Sequence, residues 1–403
     1  MACVAAHKIL PLFATPGISG DCIYKLRGFL YYCTRMNGAR LNHAEQTTRR
    51  RAKVRDAMRE LELDALLIGN LSNIRYLFNF SGSTALALLT LRKAYLIVDS
   101  RYISQGQKET VDADVILSTP LSQEAAMVKL IRRLHPSRLG FESRCTTHYL
   151  FTYWRSQLRR TAAMIPTHYI VEKVRAVKDS FEIQSIRKAL KVTWETFHNF
   201  LPMIKPGVRE KDLATELEYQ LLRNGANKLS FDTIIASGYR SAMPHGKASE
   251  KKIGHREFVT IDFGIYLNGY ASDMTRTVFV GAPSAEQRRI YNSVREAVEV
   301  AETDTRPGLK GAEVDALARR TIHRHGYGSY FGHATGHGIG LDVHEQPFIS
   351  ARGDAPITPN MVFTIEPGVY VPDKGGVRIE DIVAVTASGC EVMTQYPKDL
   401  VTL

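Results

Sequence analysis

FVTIDFGIYLNGYASDMTRTVFV, residues 258–280, is the strongest hairpin signal in the chain. Asn268-Gly269 is a preferred pair for a two-residue type I′ turn, and strand-forming residues flank it on both sides. A two-residue loop leaves no freedom of register. Leu267 must oppose Tyr270, and Asp262 then opposes Thr275. Asp273 sits two residues along on the same face, with its Cβ about 7 Å diagonally from that of Asp262. Two carboxylates on one apolar-flanked surface repel each other and are costly to bury. A divalent cation removes both costs. The alternative is a pair of exposed aspartates beside a turn.

A second acidic pair lies downstream. FTIEPGVYVPDKGGVRIEDIVAV (363–385) places Glu366 and Glu380 in two apolar strands joined by a DKGG turn. A plain four-residue loop predicts that the two carboxylates point to opposite faces; a break at Pro367-Gly368 could bring them together. Between the two pairs, GHATGHGIGLDVHE (332–345) holds His333, His337 and His344 among glycines. Four carboxylates and one imidazole would hold two divalent ions about 3.5–4 Å apart. Such a hard, oxygen-rich set favours Mn²⁺, with Co²⁺ and Zn²⁺ as alternatives. The glycines mark a backbone that must pass close to its neighbours.

The rest of the chain sets the frame. At 403 residues it is long for one core, which predicts two domains. Apolar residues make up 44% and charged residues 23%, a globular balance, and no run approaches the ~20 apolar residues of a membrane span. The five cysteines are scattered, with no CxxC pair, which suits reduced thiols in a cytoplasmic compartment. Of the net charge of +12, residues 1–55 carry +8, from ten Lys/Arg against two acids. No aromatic–basic interleaving or helix-turn-helix pattern accompanies it, so no nucleic-acid partner is inferred. Residues 1–41 read as a basic, disordered leader; its low acid content and scattered arginines keep an organellar transit peptide as the alternative.

Residues 42–172 read as a small α/β domain. A helix is expected over 46–62, and strands over ALLIG (65–69), LALLTLRKAYLIVD (86–99, with a turn) and ADVILS (113–118). Asp99 and Arg101 are expected to pair locally. Residues 173–403 form the second domain, opened by a long helix with Asp179 or Ser180 as N-cap and Glu182 in its first turn. Within it, PGVREKDLATELEYQLLRNGA (206–226) aligns with PGLKGAEVDALARRTIHRHGY (307–327). Each reads as a turn, a helix and a glycine stop, followed by a strand-like segment (LSFDTIIASG; YGSYFGHAT). Duplicated α+β halves facing across a cleft follow from this repeat.

IDFG…SDMTRT, GHGIG…HE, IEPG and RIED, in this order, resemble the pita-bread metallopeptidases, which include aminopeptidase P, prolidase, methionine aminopeptidase and creatinase. NIRYLFNFSGS and VDSRYISQ resemble the amino-terminal domain of the aminopeptidase P and prolidase branch. The resemblance implies an α+β pita-bread catalytic domain after a creatinase-type α/β domain. It implies five metal ligands, Asp262, Asp273, His337, Glu366 and Glu380, with Asp273 and Glu380 bridging two ions. It also implies catalytic roles for His245, His333, His344, Glu366 and Arg378. Glu366 would double as the proton acceptor, and His344 would steady the tetrahedral intermediate. The implied reaction is attack by a metal-bridging hydroxide on an Xaa-Pro bond, releasing an N-terminal residue from peptides with proline second. Cleavage of Xaa-Pro dipeptides is the runner-up, and a homodimer is expected. A catalytically dead binding module and a creatinase-like C–N hydrolase are the rival classes. Arg276 is read as an ion-pair or substrate residue, Thr275 and Thr277 as strand filler, and His323 and His325 as helix surface.

Overall fold

Apolar strand segments alternate with amphipathic helices from residue 65 to 167, and this pattern builds a mixed sheet. The structure, a computed structural model, describes residues 44–403. The leader reading of residues 1–41 lies outside the described residues. The chain separates into two compact units at Thr167/His168. In the first, six strands are ordered Asp114–Leu117, Ala94–Val98, Leu86–Thr90, Ala65–Ile68, Arg138–Glu142 and Ala163–Thr167. The central strands are buried throughout except at Thr90, as expected for a sheet covered on both faces. Residues 44–60 are helical, and Arg101 pairs with Asp99 at 2.8 Å.

The second unit opens earlier than residue 173, because the helix Ile170–Ala176 belongs to it. Arg175 ties this helix to Asp342 and Glu345. The long helix Ser180–Phe200 follows, closed at its start by a reciprocal capping box between Asp179 and Glu182. The sequence repeat is a structural one. Helices Glu210–Arg223 and Gly311–Arg324 keep the same 101-residue offset. Gly207 and Gly308 before them have φ of 88° and 93°, and Gly225 and Gly326 after them 110° and 81°. Even the backbone bonds recur: Gly207 N donates to Ile253 O at 2.8 Å, and Gly308 N to Ile357 O at 2.9 Å.

Each half adds a long helix and an antiparallel sheet. The first half has Ile234–Ser237, Glu257–Phe263 and Met274–Val280; the second has five strands, with Val362–Ile365 central. Two apolar cores result, one around Phe197, Leu217 and Val259 and one around Val294, Ile322 and Phe363. One expectation is corrected. YGSYFGHAT is no strand: it holds a short 3₁₀ turn, Gly328–Tyr330, and pairing begins only at Gly336–Gly338. The Arg319 guanidinium donates to the carbonyls of Phe331 and His333, engaging two acceptors that a ladder would use. Among the described residues no helix is long and apolar enough to cross a membrane. Cys145 and Cys390 are thiols rather than halves of a disulfide.

Candidate metal centre

The hairpin has the register its turn dictates. Leu267 opposes Tyr270 and Asp262 opposes Thr275, with Asn268 and Gly269 at φ of 52° and 89°. Asp262 and Asp273 therefore share a face. The second carboxylate pair departs from expectation. The loop after Val371 is three residues, Pro372–Lys374, because Val371 pairs with Gly375, whose φ is 111°. Gly368 pairs with Arg378 and Ile365 with Asp381, so Glu366 and Glu380 are directly opposed. The ladder lapses at Glu366-Pro367 without losing register, and the opposite-face geometry of a four-residue loop does not arise.

His337 reaches these acids because its strand is squeezed between two others. A Cβ at Gly336 would lie 1.9 Å from Thr364 O, and one at Gly338 2.0 Å from Gln346 O. Only glycine fits at either position. A bulge between His337 and Gly338 re-aims the ring. Its Nδ1 lies 3.2 Å from Gly338 O, which turns Nε2 toward Glu366 Oε1 (3.3 Å) and Asp273 Oδ2 (3.7 Å). Ligand atoms of Asp273, His337 and Glu380 fall within 4.8 Å of one another.

Electrostatically the cluster is unfinished. Asp262 Oδ1, Asp273 Oδ1 and Glu380 Oε1 are buried without a hydrogen-bond partner. A buried carboxylate oxygen left alone is costly. Burial, then Glu380, Asp262 and Glu366, push the Asp273 carboxyl well above the usual carboxylate range. Glu380 is raised likewise by burial, Glu366 and Asp262. Burial also takes Glu366 to about 7, against the lowering effect of Arg378. His337 is lowered by burial and so is kept as a neutral imidazole, the form that ligates metal. A divalent cation satisfies all of these: orphaned oxygens, crowded carboxylates and a neutral nitrogen.

Arg378 is the hub around the acids. Its guanidinium donates to Asp262 Oδ2 (2.6 Å), Tyr370 OH (2.8 Å), Pro244 O (3.1 Å) and Thr275 Oγ1 (3.2 Å). Tyr370 OH in turn lies 2.9 Å from His333 Nε2. The His344 ring lies 4.2 Å from that of His337, tilted by 54°. Desolvation holds His333 and His344 down to about 4, so both are neutral at neutral pH. These histidines and His245 line one cleft of about 600 Å³ with the five acid and imidazole ligand candidates. Its apolar wall is Phe231, Ile234, Pro244 and Phe348.

Thr275 is more than strand filler. Its hydroxyl donates to Glu380 Oε2 at 2.7 Å, and its carbonyl accepts from Glu380 N at 3.1 Å. Threonine in a strand reads as β-branched packing, so only the register, which faces it to Asp262, could have exposed this role. Tyr370 was equally silent, one aromatic among apolar neighbours. Arg276 is turned to a buried ion pair with Asp381 at 2.7 Å and to Glu380 O. Thr277 bonds the Arg378 backbone, and His323 and His325 are exposed, His325 on Glu296. Thr275→Val keeps the shape and removes the hydroxyl donor. Loss of such an outer contact is expected to cost about 10–100-fold in metal affinity or kcat/KM. Metal titration and kinetics of the variant check this.

Two α+β halves related by duplication, with the metal-ligand candidates between their sheets, are the pita-bread metallopeptidase fold. Residues 184–387 match metallopeptidase family M24, and residues 50–177 match the creatinase/prolidase N-terminal domain. The chain belongs to metallopeptidase family M24. An Xaa-Pro dipeptidase of Pyrococcus horikoshii is 36% identical over 354 residues, spanning 87% of this chain and 97% of its own. A Bacillus subtilis protein described as the uncharacterized peptidase YqhT is 41% identical over 352 residues, 87% of this chain and 99% of its own. Among solved structures, an Xaa-Pro dipeptidase from Bacillus anthracis superposes with a TM-score of 0.86 at 41% identity, covering 89% of this chain and all of the other. An X-Pro aminopeptidase from Thermotoga maritima gives 0.80 at 37%, covering 86% of this chain and all of its own. Dipeptidases thus recur among both relatives and structural neighbours, which favours the reading placed second from the sequence.

Proposed function

We propose that this protein is a metal-dependent Xaa-Pro dipeptidase. The observation that carries the metal reading is the trio of buried, partnerless oxygens on Asp262, Asp273 and Glu380 beside a neutral His337. Asp262, Asp273, His337, Glu366 and Glu380 would hold two divalent ions, Mn²⁺ in preference to Co²⁺ or Zn²⁺. When bound, such a pair polarises a carbonyl and makes water a competent nucleophile near neutral pH. The other roles belong to side chains. Glu366, which lines the cleft with one oxygen 3.3 Å from His337 Nε2, is placed to accept a proton from water and return it to the leaving proline nitrogen. His344, held neutral at the cleft, can donate a hydrogen bond to the developing oxyanion without carrying charge. His333 is joined to Arg378 through Tyr370, which fixes its ring and couples it to Asp262. His245, exposed on the loop beside Pro244, faces the substrate side.

Specificity for proline has a physical rationale. An Xaa-Pro amide carries no N–H, so a peptidase gripping an extended backbone holds it poorly. The apolar wall of Phe231, Ile234 and Phe348 instead offers a surface for a pyrrolidine ring. The dipeptidase reading rests on the Xaa-Pro dipeptidases among its relatives; the aminopeptidase reading keeps support from the Thermotoga neighbour. A homodimer is proposed from the family resemblance. Turnover of Ala-Pro against Ala-Pro-Ala by the Mn²⁺-loaded protein tests the reading. Ala-Pro is expected to be the better substrate. Cleavage of the tripeptide alone would make it an aminopeptidase, and cleavage of neither would leave a binding module.

A further inference from the structure

Without bound ions the cleft's charge is one-sided. Asp232, Asp262, Asp273, Glu366 and Glu380 line it, against the fixed cations Lys247 and Arg378. Arg378 is buried and its guanidinium is committed to Asp262, Tyr370, Thr275 and Pro244. Of the described lysines and arginines lining the cleft, Lys247 is the one whose charged end is exposed to an incoming anion. Its side chain is 76% exposed and its Nζ rests 2.6 Å from Asp232 Oδ2, itself 78% exposed. A single solvent-exposed pair of this kind is weak, so exchange of the carboxylate partner costs little.

The backbone beneath Lys247 is not loose. Glu210, fully buried at the start of its helix, gathers the loop around itself. It accepts from Ser237 N and Oγ (both 2.8 Å), from Ser249 N (3.1 Å) and Oγ (2.6 Å), and from Arg240 Nε (3.0 Å). Arg240 Nη2 then donates to the carbonyl of Lys247. Gly246 N closes a turn on Met243 O at 3.0 Å, and a Cβ at Gly246 would lie 3.1 Å from that oxygen. A buried carboxylate thus fixes the segment bearing His245 and Lys247, and only the lysine's flexible end remains adjustable.

We infer that Lys247 is a specificity-determining residue: its ammonium binds the free α-carboxylate of a dipeptide substrate, with Asp232 as its resting partner. This rests on the dipeptidase reading and deepens it. With the crowded acids taken up by bound ions, an exposed ammonium on the cleft lining adds a favourable contact for a substrate ending in a carboxylate. A longer peptide presents a neutral amide at the same position and gains nothing from the lysine. The device therefore selects short substrates by charge rather than by closing the cleft.

The test compares Ala-Pro with its carboxamide, Ala-Pro-NH₂, using the Mn²⁺-loaded full-length chain and its K247M variant. Wild type is expected to prefer the acid by at least tenfold in kcat/KM. In K247M that ratio should fall toward one, through KM rather than kcat, because the interaction is made equally in ground and transition states. D232N should keep the acid preference, which separates loss of the cation from disruption of the pair. Equal loss on both substrates, or an unchanged ratio, in K247M would overturn the assignment while leaving the dipeptidase reading intact. If wild type cleaves neither compound, the dipeptidase reading itself fails, and the assignment with it.

Discussion

Replacing Asp273 by Ala is expected to abolish turnover and, unusually for a buried site, to leave the metal-free protein no less stable. Asp273 is 4% exposed, its Oδ1 has no partner, and its other oxygen faces His337 at 3.7 Å. It stands among Glu380, Asp262 and Glu366, which all raise its carboxyl. With the carboxylate gone, the charge stabilisation supplied by the bound ions is lost; several kcal/mol correspond to about 10³-fold in kcat/KM. Without metal the same carboxylate is a burden, because it is buried, crowded and unsatisfied. Relieving about 1 kcal/mol of that burden would raise the metal-free Tm by roughly 2–4 °C in a unit of this size. Calorimetry and kinetics on the chelated and reloaded variant check both halves. A variant that melts lower without metal and still gains stability from Mn²⁺ would show Asp273 to be an ordinary packing residue.

The second large effect is a pH-dependent response to metal. In the metal-free fold Asp273 and Glu380 are held well above the usual carboxylate range and Glu366 at about 7. In the unfolded chain such groups ionise near pH 4. Between these limits the unfolded state binds fewer protons, so stability of the metal-free protein falls as pH rises. His333 and His344 act the other way. Their folded values of about 4 lie below 6.5, so their contribution is present above pH 6.5 and is lost as pH falls toward 4. Comparing metal-loaded and chelated protein at each pH isolates the carboxylates. A cation must displace their protons, so its stabilisation should grow from pH 5 to pH 8. At 100 times Kd one site contributes about 2.7 kcal/mol. A metal-induced Tm gain that is flat or shrinks over this interval would contradict the protonated cluster.

The first carboxylate pair was legible because a two-residue turn admits one register, and Asn268-Gly269 names that turn. Glu366 and Glu380 were not. DKGG suits several loops, and the choice of three residues shows only in the positive φ of Asp373 and Gly375. The hydroxyl of Thr275 meets Glu380 across 105 positions of sequence, and no local pattern reports such a contact. The internal repeat located both of its helices, since turn, helix and glycine stop are short-range signals. It misread YGSYFGHAT, where Arg319, a residue outside the segment, engages its carbonyls. The four acids were visible as carboxylates beside or within apolar strands, whereas the choice of His337 among three histidines came from the family resemblance. Their convergence, with His337 forced inward by Gly336 and Gly338, is a property of the packed sheets.

Metal content is the most direct measurement of the central claim. Purified protein, stripped by chelation and reloaded with Mn²⁺, is passed through a desalting column and analysed by elemental mass spectrometry alongside an Ala-Pro assay. About two ions per chain are expected, with activity that appears only on reloading. Full activity in the stripped protein, or reloading that leaves the cluster without metal, would contradict it.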